Sequence, residues 1–148
     1  MRNNIKTNER GFTIVELLVV IVVIGILAAI TIVSYNGIQN RARTVSVQSY
    51  AQEAQNKAEI YAADTGNGIF PTMAELTATT GSAMLTPKVS GMLSASAPTA
   101  NTQSTVLQYV KCTTAVGAKI GYWDSAAATP AVVYLLAGAA TGPTTATC

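Results

Sequence analysis

Few side chains in this 148-residue chain can do chemistry, and their types say what is excluded. There is no histidine, so the most frequent general base and a leading metal ligand are both missing. The only cysteines, Cys112 and Cys148, are separated by 35 residues and lack the spacing of a metal knuckle. Outside the N-terminal region the acids are Glu53, Glu59, Asp64, Glu75 and Asp124, with no spacing that makes a general acid/base pair. They read as solvated helix face (Glu53, Glu59), helix end (Asp64), first turn of a short helix (Glu75) and hairpin turn (Asp124). No enzyme, cofactor or metal site is expected.

One carboxylate needs a purpose. Glu16 closes the string GFTIVE, residues 11 to 16, where a charged segment meets a long apolar run. An acid at the edge of an otherwise lipid-soluble segment is costly, so it either reaches the headgroups or meets a cation.

The elements that position Glu16 follow from the same boundary. Residues 1 to 11, MRNNIKTNERG, carry Arg2, Lys6, Glu9 and Arg10 without apolar periodicity, and read as a leader held at the cytoplasmic face. Residues 17 to 33 are all aliphatic, Ala, Gly or Thr, and with residues 12 to 15 they are long enough to span roughly 30 Å of hydrocarbon. An ordinary signal peptidase site would follow that run, but Leu27 and Ile30 stand where small residues are wanted. Of nine basic and seven acidic residues the leader holds three and one, which leaves six of each beyond it. The excess of positive charge is therefore an orientation signal, and no nucleic-acid partner is expected; Arg41 with Arg43, the only close basic pair, suits a membrane interface.

Helical spacing continues beyond the apolar run. Residues 35 to 63 contain no proline, and Ile38, Ala42, Val45, Ser49, Ala51, Ala54, Ala58, Tyr61 and Ala62 recur at three- and four-residue intervals. One helix over residues 12 to 63 is predicted, stopped by Asp64, Thr65, Gly66, Asn67 and Gly68. Residues 77 to 103, rich in Thr, Ala, Ser and Gly, predict loop with a helical turn near 83 to 93. Three strands are predicted at 104 to 113, 117 to 124 and 131 to 137, with Tyr109, Tyr122 and Trp123 as sheet core. The fold class is α+β: a long N-terminal helical spine and a small antiparallel sheet. The domains are a leader (1–11), a membrane half of the spine (12–34), an amphipathic half (35–64) and a globular head (65–148).

The string GFTIVE followed by LLVVIVVIGILAAI resembles the N-terminus of type IV pilins and pseudopilins. The resemblance implies a class III signal peptide, cut between Gly11 and Phe12 by a membrane prepilin peptidase that then methylates the new Phe12 amine. It implies that this amine and Glu16 pair between neighbouring subunits, registering each against a growing fibre. The segment IFPTMAEL, residues 69 to 76, resembles the GxYP-type turn after the spine helix of many members, with Phe70 in place of Tyr. Where many members have a proline this chain has Val33, so any local melting of the spine depends on Gly25 and its β-branched neighbours. Gly25 with Ala29 offers a small surface for close helix approach.

For an exported head an even pair of cysteines reads as a disulfide, Cys112 to Cys148, and the arrangement resembles the C-terminal disulfide-bounded region of pilins. The implied function is a structural subunit that polymerises through its apolar helix into an extracellular type IV pilus, serving adhesion, twitching motility or DNA uptake at fibre level. The implied partners are copies of itself in a helical filament, the prepilin peptidase, the pilus assembly platform and the cytoplasmic membrane that holds the precursor. One alternative is a pseudopilin of a type II secretion or competence system; the acid-free tail, 138 to 148, lacks the acidic calcium-binding loop such proteins often carry. Another is a single-span anchored binding domain that never assembles.

Overall fold

The computed structural model describes residues 11–65, 68–78, 81, 84–113 and 116–140. It divides into two compact units, Met1–Gly37 and Ile38–Cys148. The leader, most of the acid-free tail and Cys148 lie outside the described residues.

A single helix, α1, runs Ile14–Asp64 over 51 residues, one or two positions from the predicted bounds. In the first unit every side chain from 11 to 37 is exposed, including Ile14 at 85% and Val33 at 76%. The helix is long and apolar enough to cross a membrane. Thr31 keeps its hydroxyl satisfied inside the helix by donating to the carbonyls of Leu27 and Ala28 at 3.0 and 2.9 Å, which removes a polar cost in an apolar phase.

In the second unit α1 buries Thr44, Val47, Ala51, Ala54, Ala58 and Ala62. Their spacing of three or four places them on one face. The predicted stripe was partly misplaced: Ile38 and Val45 are 66% and 60% exposed, and Ala42 and Ser49 also face out. Apolar character misled there, because alanine, with only a methyl group, is what lets a sheet approach the helix backbone.

That sheet has four strands in the order β1-β2-β3-β4. Strands β2 (Leu107–Lys111), β3 (Gly117–Asp124) and β4 (Ala131–Gly138) form the expected antiparallel meander, with Gln108 opposite Gly121 and Ile120 opposite Leu135. Strand β1 (Leu93–Ser94), paired in parallel with β2, was not anticipated, because two residues carry no readable alternation. Leu107, Tyr109, Ala118, Ile120, Tyr122 and Ala137 face the alanine stripe and complete the core. Trp123 is half-buried and not part of that cluster, so the expectation holds for Tyr109 and Tyr122 alone.

Two short helices fill the span between α1 and the sheet. Helix α2 (Met73–Thr77) begins at Thr72 with a capping box to Glu75, and buries Leu76. Helix α3 (Pro87–Met92) occupies the predicted turn and buries Val89 and Met92. Glu53 is not the solvated residue expected: its carboxylate accepts from the Thr86 amide at 2.8 Å, fixing the entry to α3.

The turn before α2 docks firmly. Phe70 and Pro71 are buried, and the Tyr109 hydroxyl donates to the Pro71 carbonyl at 2.7 Å. Gly138, with φ of 65°, closes β4 against Phe70; a Cβ there would come within 2.6 Å of the Phe70 ring. At the N-terminal end of the buried face of α1, the Thr44 hydroxyl donates to Asp124 at 3.1 Å and accepts from the Ser125 and Ala126 amides, holding the β3–β4 turn.

Candidate assembly site

The expected processing and assembly residues lie at the start of α1, in residues 11 to 25. Gly11, Phe12 and Thr13 precede the helix and have no regular structure. Phe12 is 84% exposed, and nothing lies within 4 Å of the position a Gly11 side chain would take. The bond between Gly11 and Phe12 is thus in open, non-helical backbone.

Thr13 turns that open segment into helix. Its hydroxyl accepts from the Glu16 amide at 3.2 Å, and its own amide donates to Glu16 Oε2 at 2.8 Å. The Thr13 hydroxyl also donates to the same oxygen at 2.8 Å. This is a reciprocal capping box, in which a threonine and a glutamate three residues on satisfy each other's backbone donors. Glu16 therefore has a partner inside its own chain, which the reading of the residues above did not anticipate. The signal was present as the Thr-x-x-Glu spacing of residues 13 to 16, and it recurs at residues 72 to 75. Both bonds donated by Thr13 end on Oε2. A carboxylate accepts through two oxygens, so the box leaves acceptor capacity for a further donor.

Gly25 sits in mid-helix with nothing within 4 Å of its missing side chain. Ala29, one turn on, is also exposed. Among the described residues neither meets a partner within one copy.

The family model for the prokaryotic N-terminal methylation motif matches residues 6–32, which cover the leader junction, Glu16 and Gly25. The chain is also 38% identical over 60 residues to the type IV wide pilus major component PilA4 of Thermus thermophilus. The motif and this relative support a type IV pilin family relationship for the chain. The aligned stretch covers 40% of this chain and 46% of PilA4, so it spans about half the length of that curated relative. No solved structure matches the chain. The long apolar helix and the mostly antiparallel sheet agree with the pilin fold.

The remaining expected site is away from the helix start. Cys112 follows β2, is 6% exposed, and is not a free thiol. Its expected partner, Cys148, lies outside the described residues. Among the described residues no group of three or more His, Cys, Asp or Glu side chains is placed to hold a metal ion.

Proposed function

We propose that this pilin-family chain is a structural subunit of a type IV pilus. It is made as a membrane-held precursor, cut between Gly11 and Phe12, methylated at Phe12, and polymerised through the first half of α1 into an extracellular filament. The observation that carries the reading is the exposure of every side chain from 11 to 37 on a helix otherwise built of large aliphatic residues. Leaving such side chains in water forfeits about 1.5 to 3 kcal/mol each, so the segment belongs first in lipid and then against other copies. Its relative PilA4 is named as a major pilus component, which favours the same role here.

Cleavage would create a cation at Phe12, beside the capping box. Glu16, held by Thr13, is then a preset acceptor for the Phe12 amine of a neighbouring subunit, and the two charges neutralise each other where each alone is expensive. The Cys112–Cys148 disulfide would staple the tail to the end of β2 outside the cell.

Mass spectrometry on filaments sheared from cells tests the reading. The expected result is abundant subunit beginning at N-methylated Phe12, with a mass two hydrogens short for the disulfide. Processed protein confined to the membrane fraction would instead indicate a pseudopilin, and a retained Met1 would indicate a non-assembling anchor. Glu16→Ala is expected to leave processing intact while filament yield collapses; normal yield would overturn the proposed pairing.

A further inference from the structure

The second unit carries a charged feature that the apolar helix does not explain. Arg43, Ser46, Val47 and Tyr50 of α1, with Lys88 of α3 and Ser104, line an open groove of about 300 Å3. The Lys88 ammonium sits 5.0 Å from the centre of the Tyr50 ring, which holds the cation at the groove wall. Arg43 is exposed, and its hydrogen bond to Gln39, at 3.5 Å, is long. Two cations, three hydroxyls and no carboxylate line this groove, so its complement is an anion.

The same unit supplies one. Glu53 is taken by Thr86, Glu75 by Thr72 and Tyr61, and Asp124 by Thr44 and the turn amides. Asp64 is also engaged. Glu59 is exposed, and among the described residues its carboxylate accepts only a long bond from Gln55 at 3.5 Å. Helix geometry places it about 24 Å along α1 from Arg43 and about 160° around the axis, so it cannot serve its own groove. Its neighbour Gln55 donates to the Leu136 carbonyl of β4 at 2.8 Å, which puts Glu59 toward one edge strand of the sheet. The groove lies beside α3, which leads into β1 at the opposite edge.

From this separation, and resting on the polymer reading above, we infer that the Arg43–Tyr50–Lys88 groove receives Glu59 of a second copy. A copy that fills its neighbour's groove keeps its own groove open for the next. Such a heterologous contact propagates as an open chain, where a self-complementary patch would stop at a dimer. The contact lies outside the apolar helix and adds a register to the polar part of the subunit.

Charge exchange in the full-length protein tests this. Lys88→Glu and Glu59→Lys should each lower sheared filament yield by about tenfold or more while leaving Phe12 processing unchanged, and the double variant should recover most of the loss. Carbodiimide treatment of wild-type filaments should join Lys88 of one copy to Glu59 of another and give a ladder of oligomers. Lys88→Arg, which keeps the charge but cannot be coupled, should assemble normally and lose the ladder; this variant also decides the matter if a reversal variant fails to fold. Unchanged yield in both single variants, a double variant no better than the worse single, or no Lys88–Glu59 link in filaments would overturn the inference. If wild-type protein forms no filaments, the polymer reading fails. The crosslink then decides this contact in the membrane fraction: its presence supports the groove, and its absence overturns it.

Discussion

The two halves of α1 use side-chain size in opposite ways. In the first half the large residues are outside: Leu17, Ile21, Ile24 and Leu27 are all between 57% and 66% exposed. In the second half the small ones are inside, with Ala51, Ala54 and Ala58 at 0%. A helix that completes its core within one copy usually buries its bulk. Here the C-terminal sheet comes close to the backbone and needs alanine, whereas the first half is uncovered within one copy and, on the proposed reading, is finished by lipid or other copies.

The largest expected effect would confine instability to one side of this comparison. Reducing the proposed Cys112–Cys148 disulfide in detergent-held protein should destabilise the C-terminal unit by about 3 to 4 kcal/mol in the chain-entropy model. Near-ultraviolet circular dichroism should show a lowered Tm for the aromatic signal of Tyr109, Tyr122 and Trp123. A Tm indifferent to reductant would remove the disulfide from the stability argument.

Ala54→Phe against Ala29→Phe asks whether size alone separates the halves. Ala54 is fully enclosed, so the larger ring should overpack the sheet and cost about 3 kcal/mol or more. Ala29 is exposed, and the same change should leave the Tm of the C-terminal unit where it was. Filament yield should then fall for Ala29→Phe, because the bulk would sit on the Gly25 surface proposed to meet another copy. Equal effects of the two variants on Tm would break the comparison.

How much of this was legible depended on whether the signal was local. The apolar run, the helix bounds and β3 could be read because each is a contiguous pattern set by local periodicity. The buried face of α1 was only half legible. Alanine is neutral in hydropathy, and the choice among faces was made by a sheet that does not begin until Leu93, well after the helix has ended. Lys119 shows the same limit: it reads as a surface charge, yet it is fully buried opposite Val110 and Leu136 and engaged within the fold. At the assembly site the Thr-x-x-Glu spacing could have shown the capping box. The groove could not be read, because Arg43 and Lys88 meet only after folding.

A smaller effect concerns the seam between the turn before α2 and the sheet. Tyr109→Phe removes the hydroxyl that donates to Pro71 and leaves a buried carbonyl without that donor, which should cost about 1 to 2 kcal/mol. Burial, followed by the charge of Glu75, pushes the Tyr109 phenol well above the ordinary tyrosine range. The folded state therefore holds its proton where the unfolded state has begun to lose it. The stability from this group is complete below about pH 10 and declines as pH rises past that value. Wild-type protein should show this alkaline loss in Tm, and Tyr109→Phe should show less of it. The first half of α1 has no equivalent, so its helical signal should not follow the same titration.

The smallest effect compares the two capping boxes. Thr13 with Glu16 and Thr72 with Glu75 have nearly the same bonds, but only the second closes a helix whose Leu76 is fully buried. Thr72→Ala should lower Tm by about 5 °C, as loss of a cap in a domain of this size does. Thr13→Ala should leave Tm unchanged and fray only the start of α1. The Thr72 amide, then its hydroxyl, then the Tyr61 hydroxyl hold the Glu75 carboxyl below the ordinary carboxylate range. A group depressed in this way stabilises the fold above the ordinary carboxylate pKa, and the contribution disappears as pH falls through its lowered folded value. The Tm gap between wild type and Thr72→Ala should thus be full at neutral pH and shrink on acidification, because protonation removes from the wild type part of what the substitution already lacks. A gap that stays constant down to the acid limit would assign the loss to Thr72 alone, leaving the Glu75 side of the box without energetic weight.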